Sequence, residues 1–130
     1  MRGPKFRGFS NETNNWHYGH GWFEIDYTED YLLEKGIEKQ AMLYTDGHPI
    51  VCEMKSMGEY TGIKDKHGKG IFEGDIVNCF VGINSLVMFN FGAFGIYTER
   101  VGFSAFCELQ GYCTVIGNIY NNPELMEETE

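Results

Sequence analysis

Between Tyr60 and Val77 the chain reads YTGIKDKHGKGIFEGDIV, and most of its chemistry-bearing residues gather there. Lys64, Lys66, His67 and Lys69 together could hold a phosphate or an acidic group. Asp65, His67 and Asp75 include the residue types of acid–base catalysis. No second acid, base or nucleophile is fixed beside them by spacing. A β-hairpin accounts for the same residues: Lys66-His67-Gly68 fits a three-residue loop, with Gly68 supplying the positive φ. Lysines at such a tip keep it soluble and discourage edge pairing. Glu73-Gly74-Asp75 then turns the chain, with Asp75 placed to accept bonds from nearby backbone N–H groups.

Other candidates are weaker. His17-Tyr18-Gly19-His20 offers two metal nitrogens, but zinc takes about four ligands and no Cys or His stands at partnered spacing. Gly102-Phe103-Ser104-Ala105-Phe106 resembles a nucleophile elbow yet ends in Phe where glycine is needed. Gly68-Lys69-Gly70 lacks the spacing of a phosphate loop. Phe89, Phe91, Phe94 and Tyr97 could stack bases, but Leu86 to Thr98 holds no Arg or Lys. Core or a subunit interface suits them better. The residues point to no catalytic set, metal or cofactor.

The elements that would position these residues are short strands. They read as Lys5–Phe9, Trp16–Tyr18, Trp22–Tyr27, Gln40–Thr45 and Ile50–Met54 in the first part of the chain. Glu59–Ile63, Gly70–Phe72, Ile76–Val81, Ser85–Phe91, Phe94–Thr98, Ser104–Leu109 and Cys113–Tyr120 follow. Gly92-Ala93 joins two of them. One helix is predicted over Glu29 to Lys35, N-capped by Thr28 and ended by Gly36. Asn122 caps a brief closing turn with Pro123 at its first position. A soft boundary at a strained Lys55–Gly58 junction divides a hairpin/helix/strand region, 1–56, from a β-barrel region, 57–130, with one shared core. The fold class is α+β, mostly β, and such spacing suits a small bent sheet or barrel.

Composition agrees: 130 residues are 42% hydrophobic and 15% aromatic, with 17 glycines and 3 prolines, which favours tightly turned strands over a helix bundle. The formal charge is −9, and the last eight residues contribute four Glu and no base. That balance opposes strong nonspecific binding to phosphates but leaves room for a local basic patch. Glu29, Asp30, Glu34 and Glu38 concentrate acid on and after the helix, either as a solvated face or as a partner-binding or DNA-mimicking surface. The four cysteines, at 52, 79, 107 and 113, form no C-x-x-C pair and sit in apolar runs. They read first as buried thiols of a cytosolic protein, with disulfide pairing and metal ligation as the lesser alternatives. The start of the chain lacks the apolar segment of a signal peptide, and no run approaches the ~18 apolar residues of a membrane span.

Three blocks of the chain are similar to one family. Lys5-Phe6-Arg7-Gly8-Phe9 resembles an N-terminal K-F-R-A-W. Tyr60-Thr61-Gly62, Asp65, Gly68 and Glu73 to Val77 resemble Y-T-G-x-x-D-x-x-G…E-G-D-I-V. Val115 to Tyr120 with Asn122-Pro123-Glu124-Leu125 resembles V-I-G-N-I-Y-x-N-P-E-L. These are marks of the YopX family, small proteins encoded by phages and prophages of Gram-positive bacteria. Gly8 and Phe9 depart from the usual Ala-Trp. The resemblance implies a mostly β α+β fold with a bent, SH3-like barrel in the C-terminal half. It implies a bacterial host cytosol and carries no known activity.

The expected function is therefore that of a non-enzymatic phage accessory protein that binds a host or phage protein and can self-associate. Nucleic-acid binding through the Lys64–Lys69 tip, or acidic mimicry of DNA, are the alternatives. The residues singled out for interaction or architecture are Arg7, Trp16, Tyr60, Lys64, Asp65, Lys66, His67, Gly68, Lys69, Gly74, Asp75 and Asn118. Arg7 lies among apolar strand residues, so burial would require an acceptor, with Asp75 and Asp65 as candidates.

Overall fold

The computed structural model describes residues 3–80, 83–99, 102–105 and 113–127. The chain divides into two compact units, Met1–Glu59 and Tyr60–Glu130. The expected strand Ser104–Leu109 lies outside the described residues beyond Ala105, as does Cys107.

In the first unit β1 (Phe6–Ser10) and β2 (Asn15–Gly19) form a hairpin, with Phe6 opposite Gly19 and Ser10 opposite Asn15. Ser10 is fully buried, and its Oγ accepts from the Glu12 and Thr13 amides at 3.2 and 3.4 Å. A second sheet has the order β3 (Gly21–Glu24), β4 (Gln40–Tyr44), β5 (Ile50–Glu53). Between β3 and β4 sits α1 (Glu29–Lys35). Thr28 Oγ1 accepts from the Tyr31 amide at 3.1 Å, and Gly36 ends the helix at φ +68°. Both caps act within a few residues, which is why the sequence shows them.

Ala41, Leu43 and Cys52 are wholly buried in this unit. The Lys55–Gly58 junction is relaxed rather than strained: a 3-10 turn over Met54–Ser56 has ordinary dihedral angles at both ends. Ser56 Oγ donates to the Glu53 carbonyl at 2.7 Å and accepts from the Phe9 amide at 2.8 Å.

β6 (Gly58–Lys64) spans the division, its first residues Gly58 and Glu59 pairing with β1. In the second unit it turns into β7 (Gly70–Phe72). β8 (Asp75–Phe80), β9 (Ile83–Asn90), β10 (Ala93–Thr98), β11 (Gly102–Ala105) and β12 (Thr114–Asn118) follow. The five-stranded antiparallel sheet has the order β11-β10-β9-β8-β12. Register shifts between Asn78 and Phe80, and between Val115 and Gly117, curl it. Among the described residues β11 and β12 do not pair, so this is a half-barrel with two edges. Ile71, Val77, Cys79, Val87, Ile96 and Cys113 form its core, with Ile63 and Val115 against them.

One expectation is corrected here: Cys79 and Cys113 form a disulfide rather than two free thiols. Asn78 stands opposite Thr114 across the β8–β12 pair, which brings the neighbouring cysteines together. Cysteine spacing could not reveal that register. Cys52 remains a buried free thiol. Burial pushes it up to about 11, helped by the charges of Glu53 and Glu12.

Gly8 shows how tightly the first unit packs. A Cβ there would lie 2.5 Å from Met57 Sδ, 2.8 Å from Cys52 Cβ and 2.9 Å from Cys52 Sγ. Met57 Sδ lies near the end of a flexible side chain and can move, whereas the Cys52 Cβ is fixed to the β5 backbone. Gly8→Ala is therefore expected to destabilise the protein by about 1–3 kcal/mol, read as a lowered midpoint in urea unfolding.

Candidate functional site

The hairpin tip closes on Asp65. The Asp65 amide donates to the Lys69 carbonyl at 2.7 Å, and the Gly68 amide donates to the Asp65 carbonyl at 3.0 Å. Lys66-His67-Gly68 thus form a three-residue loop, with Gly68 at φ +84°. The Asp65 carboxylate then fastens it. Its Oδ1 accepts from the amides of His67 and Lys69, both at 2.9 Å, and its Oδ2 accepts from the Val115 amide of β12 at 3.0 Å. The Lys66 amide donates to the Cys113 carbonyl at 3.0 Å.

Asp65 is only 7% exposed. Burial alone would raise its carboxyl. The amides of Val115, Lys69 and His67, with the adjacent His67 ring, outweigh burial and hold it below its usual value. Around it Lys64, Lys66, His67 and Lys69 are all exposed. The loop therefore presents three ammonium groups and an imidazole outward, over one buried carboxylate. The outer groups can meet an anion. The inner one is occupied by backbone.

The next turn is equally architectural. Gly74, at φ +94°, donates to the Val87 carbonyl and accepts from the Ile119 amide, both at 2.8 Å. Asp75 is 1% exposed, and its Oδ2 accepts from the Phe72 amide at 2.8 Å. Asn118 pairs with Asp75 across the β8–β12 ladder. Its Oδ1 accepts from the Asn121 amide at 2.8 Å, shaping the turn after β12. The side chain of Asn122 does not cap the closing 3-10 turn over Pro123–Met126, contrary to expectation. It accepts instead from the Asn118 amide at 3.3 Å, beside Gly117, where a Cβ would meet its Oδ1 at 2.7 Å. Tyr60 lies against Phe72 with ring centroids 5.3 Å apart and covers Gly70.

In the first unit Arg7 is buried, and its guanidinium lies 4.6 Å from the Trp16 ring centroid. The β1–β2 register sets Phe9 opposite Trp16 and Arg7 opposite Tyr18, so Arg7 reaches Trp16 diagonally. His17 and His20 do not converge. His17 Nε2 meets Thr13 Oγ1 at 2.7 Å, while His20 Nε2 meets Asp46 Oδ1 at 3.0 Å. Among the described residues no three His, Cys, Asp or Glu side chains are grouped to hold a metal. Within the second unit the singled-out residues form the loop 64–69, the Gly74–Asp75–Asn118 turn and the Tyr60–Phe72 contact; within the first, Arg7 stacks on Trp16.

The turn joining β9 and β10 is centred on Phe91-Gly92, not Gly92-Ala93, with Asn90 opposite Ala93. Both central residues have positive φ, +53° and +78°, as a two-residue type I′ turn requires. Phe91 is 87% exposed, touching Phe103 edge-on at 5.9 Å, and Phe89 is 51% exposed. Asn90, one residue earlier, is the better left-handed former, so residue type alone does not point to Phe91 in this role.

Two units of short antiparallel strands with one short helix define a mostly β protein of the α+β class, its loops fixed by buried carboxylates. The YopX protein family model matches residues 5–127, and the chain belongs to that family. Its fold is similar to that of protein EF1440 from Enterococcus faecalis, at 20% identity and a TM-score of 0.53 over 98% of this chain and 100% of that one. It is also similar to protein yopX from Bacillus subtilis, at 23% identity and a TM-score of 0.52 over 97% and 98% of the two chains. Among curated proteins no relative matches. Among the described residues no helix is long and apolar enough to cross a membrane.

The Asp65 linkage has a definite sign. A carboxyl whose folded value is depressed contributes stability above its unfolded value, near 4, and loses it as pH falls through the folded value. Asp65→Asn is expected to cost about 2–3 kcal/mol at neutral pH, since it weakens charge-assisted bonds to three amides. Urea unfolding of both proteins from pH 7 to pH 2 should show that gap held to about pH 4 and narrowing below it.

Proposed function

We propose that this chain is a non-enzymatic phage accessory protein that acts in the bacterial host cytosol by binding a protein partner. The observation that carries this reading is Phe91: a bulky side chain held at positive φ on a turn tip and left 87% exposed. Left-handed geometry at a non-glycine residue costs about 1–3 kcal/mol, and an exposed ring recovers little of it. An aromatic anchor for a pocket on a partner accounts for both the strain and the exposure. Residues Ile83 to Thr98 contain no charge, so this tip offers contact free of the repulsion that the rest of an acidic chain brings. A second copy of the chain is one partner it can serve.

Phe91→Asn separates fold from function. Asn tolerates the left-handed region, so the variant should be more stable by about 1 kcal/mol. It should also lose the partner that wild-type protein retains from host lysate, or the dimer seen by light scattering. Equal recovery with both proteins would remove the proposal.

A second reading rests on the loop. Lys64, Lys66, His67 and Lys69 are exposed and, among the described residues, take part in no side-chain ion pair. Such a tip suits the backbone of a single-stranded nucleic acid on a small barrel. Neutralising about three phosphates would give a log affinity–log salt slope near −2. Short oligonucleotides titrated at low and moderate salt should show that slope, and Lys66→Glu with Lys69→Glu should abolish binding. Absence of affinity at low salt rejects this reading. The acidic helix is a poorer basis for DNA mimicry: Lys55 pairs with Glu38 at 3.2 Å and Lys39 with Glu24 at 4.0 Å, breaking the negative surface.

A further inference from the structure

We propose that the Cys79–Cys113 disulfide is a redox-operated clip that sets how firmly the lysine-bearing loop is held to the sheet. Cys113 is wholly buried and Cys79 nearly so, both within the core of the second unit. The bond joins β8 to the residue just before β12. That short segment is also where the loop is moored. The Cys113 carbonyl accepts from the Lys66 amide, and the Val115 amide donates to Asp65 Oδ2, each at 3.0 Å. One covalent link and two loop anchors therefore converge on residues 113–115.

Reduction would act on all three. When local opening of the loop exposes the bond, a dithiol reductant attacks the disulfide and leaves as its own cyclic disulfide. The Cys79–Cys113 bond breaks, and the two electrons and two protons it receives leave a thiol on each residue. Two thiol sulfurs cannot remain at bonding distance, and a close-packed interior gives them little slack. The backbone at Cys113 must shift, and the Lys66 and Val115 bonds lengthen with it. In a reducing cytosol the clip is open, and under oxidative stress it closes. The other described cysteine, Cys52, lies in the first unit and is kept protonated by burial, so it does not compete for exchange. The inference concerns the mounting of the loop and holds whichever ligand the loop takes.

The test is hydrogen exchange on the full chain after oxidised glutathione and again after dithiothreitol, with mass mapping of the Cys79 and Cys113 peptides. Oxidised protein should yield a linked 79–113 peptide. On reduction the Lys66, His67, Lys69 and Val115 amides should exchange roughly tenfold faster or more, while Leu43 in the first unit stays unchanged. Cys79→Ser with Cys113→Ser should match the reduced protein and ignore dithiothreitol. Three outcomes would overturn the proposal: no linked peptide, equal exchange in both states, or loss of protection throughout β8, β9 and β10. The last would make the bond a staple of the whole unit rather than a clip on one loop.

Discussion

The second unit depends on one carboxylate more than on any other side chain. Asp65 accepts three backbone N–H bonds, two from its own loop and one from Val115, fifty residues along the chain. Without it the loop would hold two inward N–H groups and β12 a third, each costing about 1–3 kcal/mol if buried without a partner. The charge can be buried because those donors replace water, and they hold the carboxyl below its usual value. Asp75 repeats the device on a smaller scale at Phe72. Asp65, one of the two acids that looked available for catalysis, thereby gives its carboxylate to three amides, whereas Asp75 receives the Phe72 amide.

The same logic organises the family's motifs. Gly68 and Gly74 take positive φ where the chain reverses beside Asp65 and Asp75. Gly117 leaves room for Asn122, which receives the Asn118 amide. Each block that carried the resemblance is thus a corner of the second unit or, for Phe6 to Phe9, a strand of the first. The substitution of Gly for Ala at position 8 has its own local cause, since Cys52 and Met57 fill the space a methyl group would need.

What the sequence made legible was local. Thr28, Gly36 and Gly68 act over three or four residues, and their roles could be read directly from position. Strand existence was readable from alternation, and the mostly β class followed. Register was not. The Cys79–Cys113 bond and the diagonal of Arg7 onto Trp16 each depend on which residues face each other across a ladder. Turn registry misled as well: Gly92-Ala93 looks like a turn, but the sheet shifts it back by one residue and makes Phe91 carry the left-handed geometry. Phe91 was the residue that local rules argued against placing there.

That register also separates the two candidate surfaces. Ile76 stands opposite Leu86, so β9 continues past the Asp75 end of β8 to its aromatic turn. The lysine loop is moored at Cys113 and Val115, on the segment where Thr114 and Val115 stand opposite Asn78 and Val77 toward the other end of the same pair. The aromatic turn rests on its left-handed backbone, on the Phe91 amide donating to Asn90 Oδ1 at 3.1 Å and on the Phe91–Phe103 contact, none of which involves a titratable side chain. The lysine loop rests on a buried carboxylate and on the carbonyl of the disulfide-bonded Cys113, so a proton on Asp65 would bear on its mooring and, on the redox proposal, so would the Cys79–Cys113 bond.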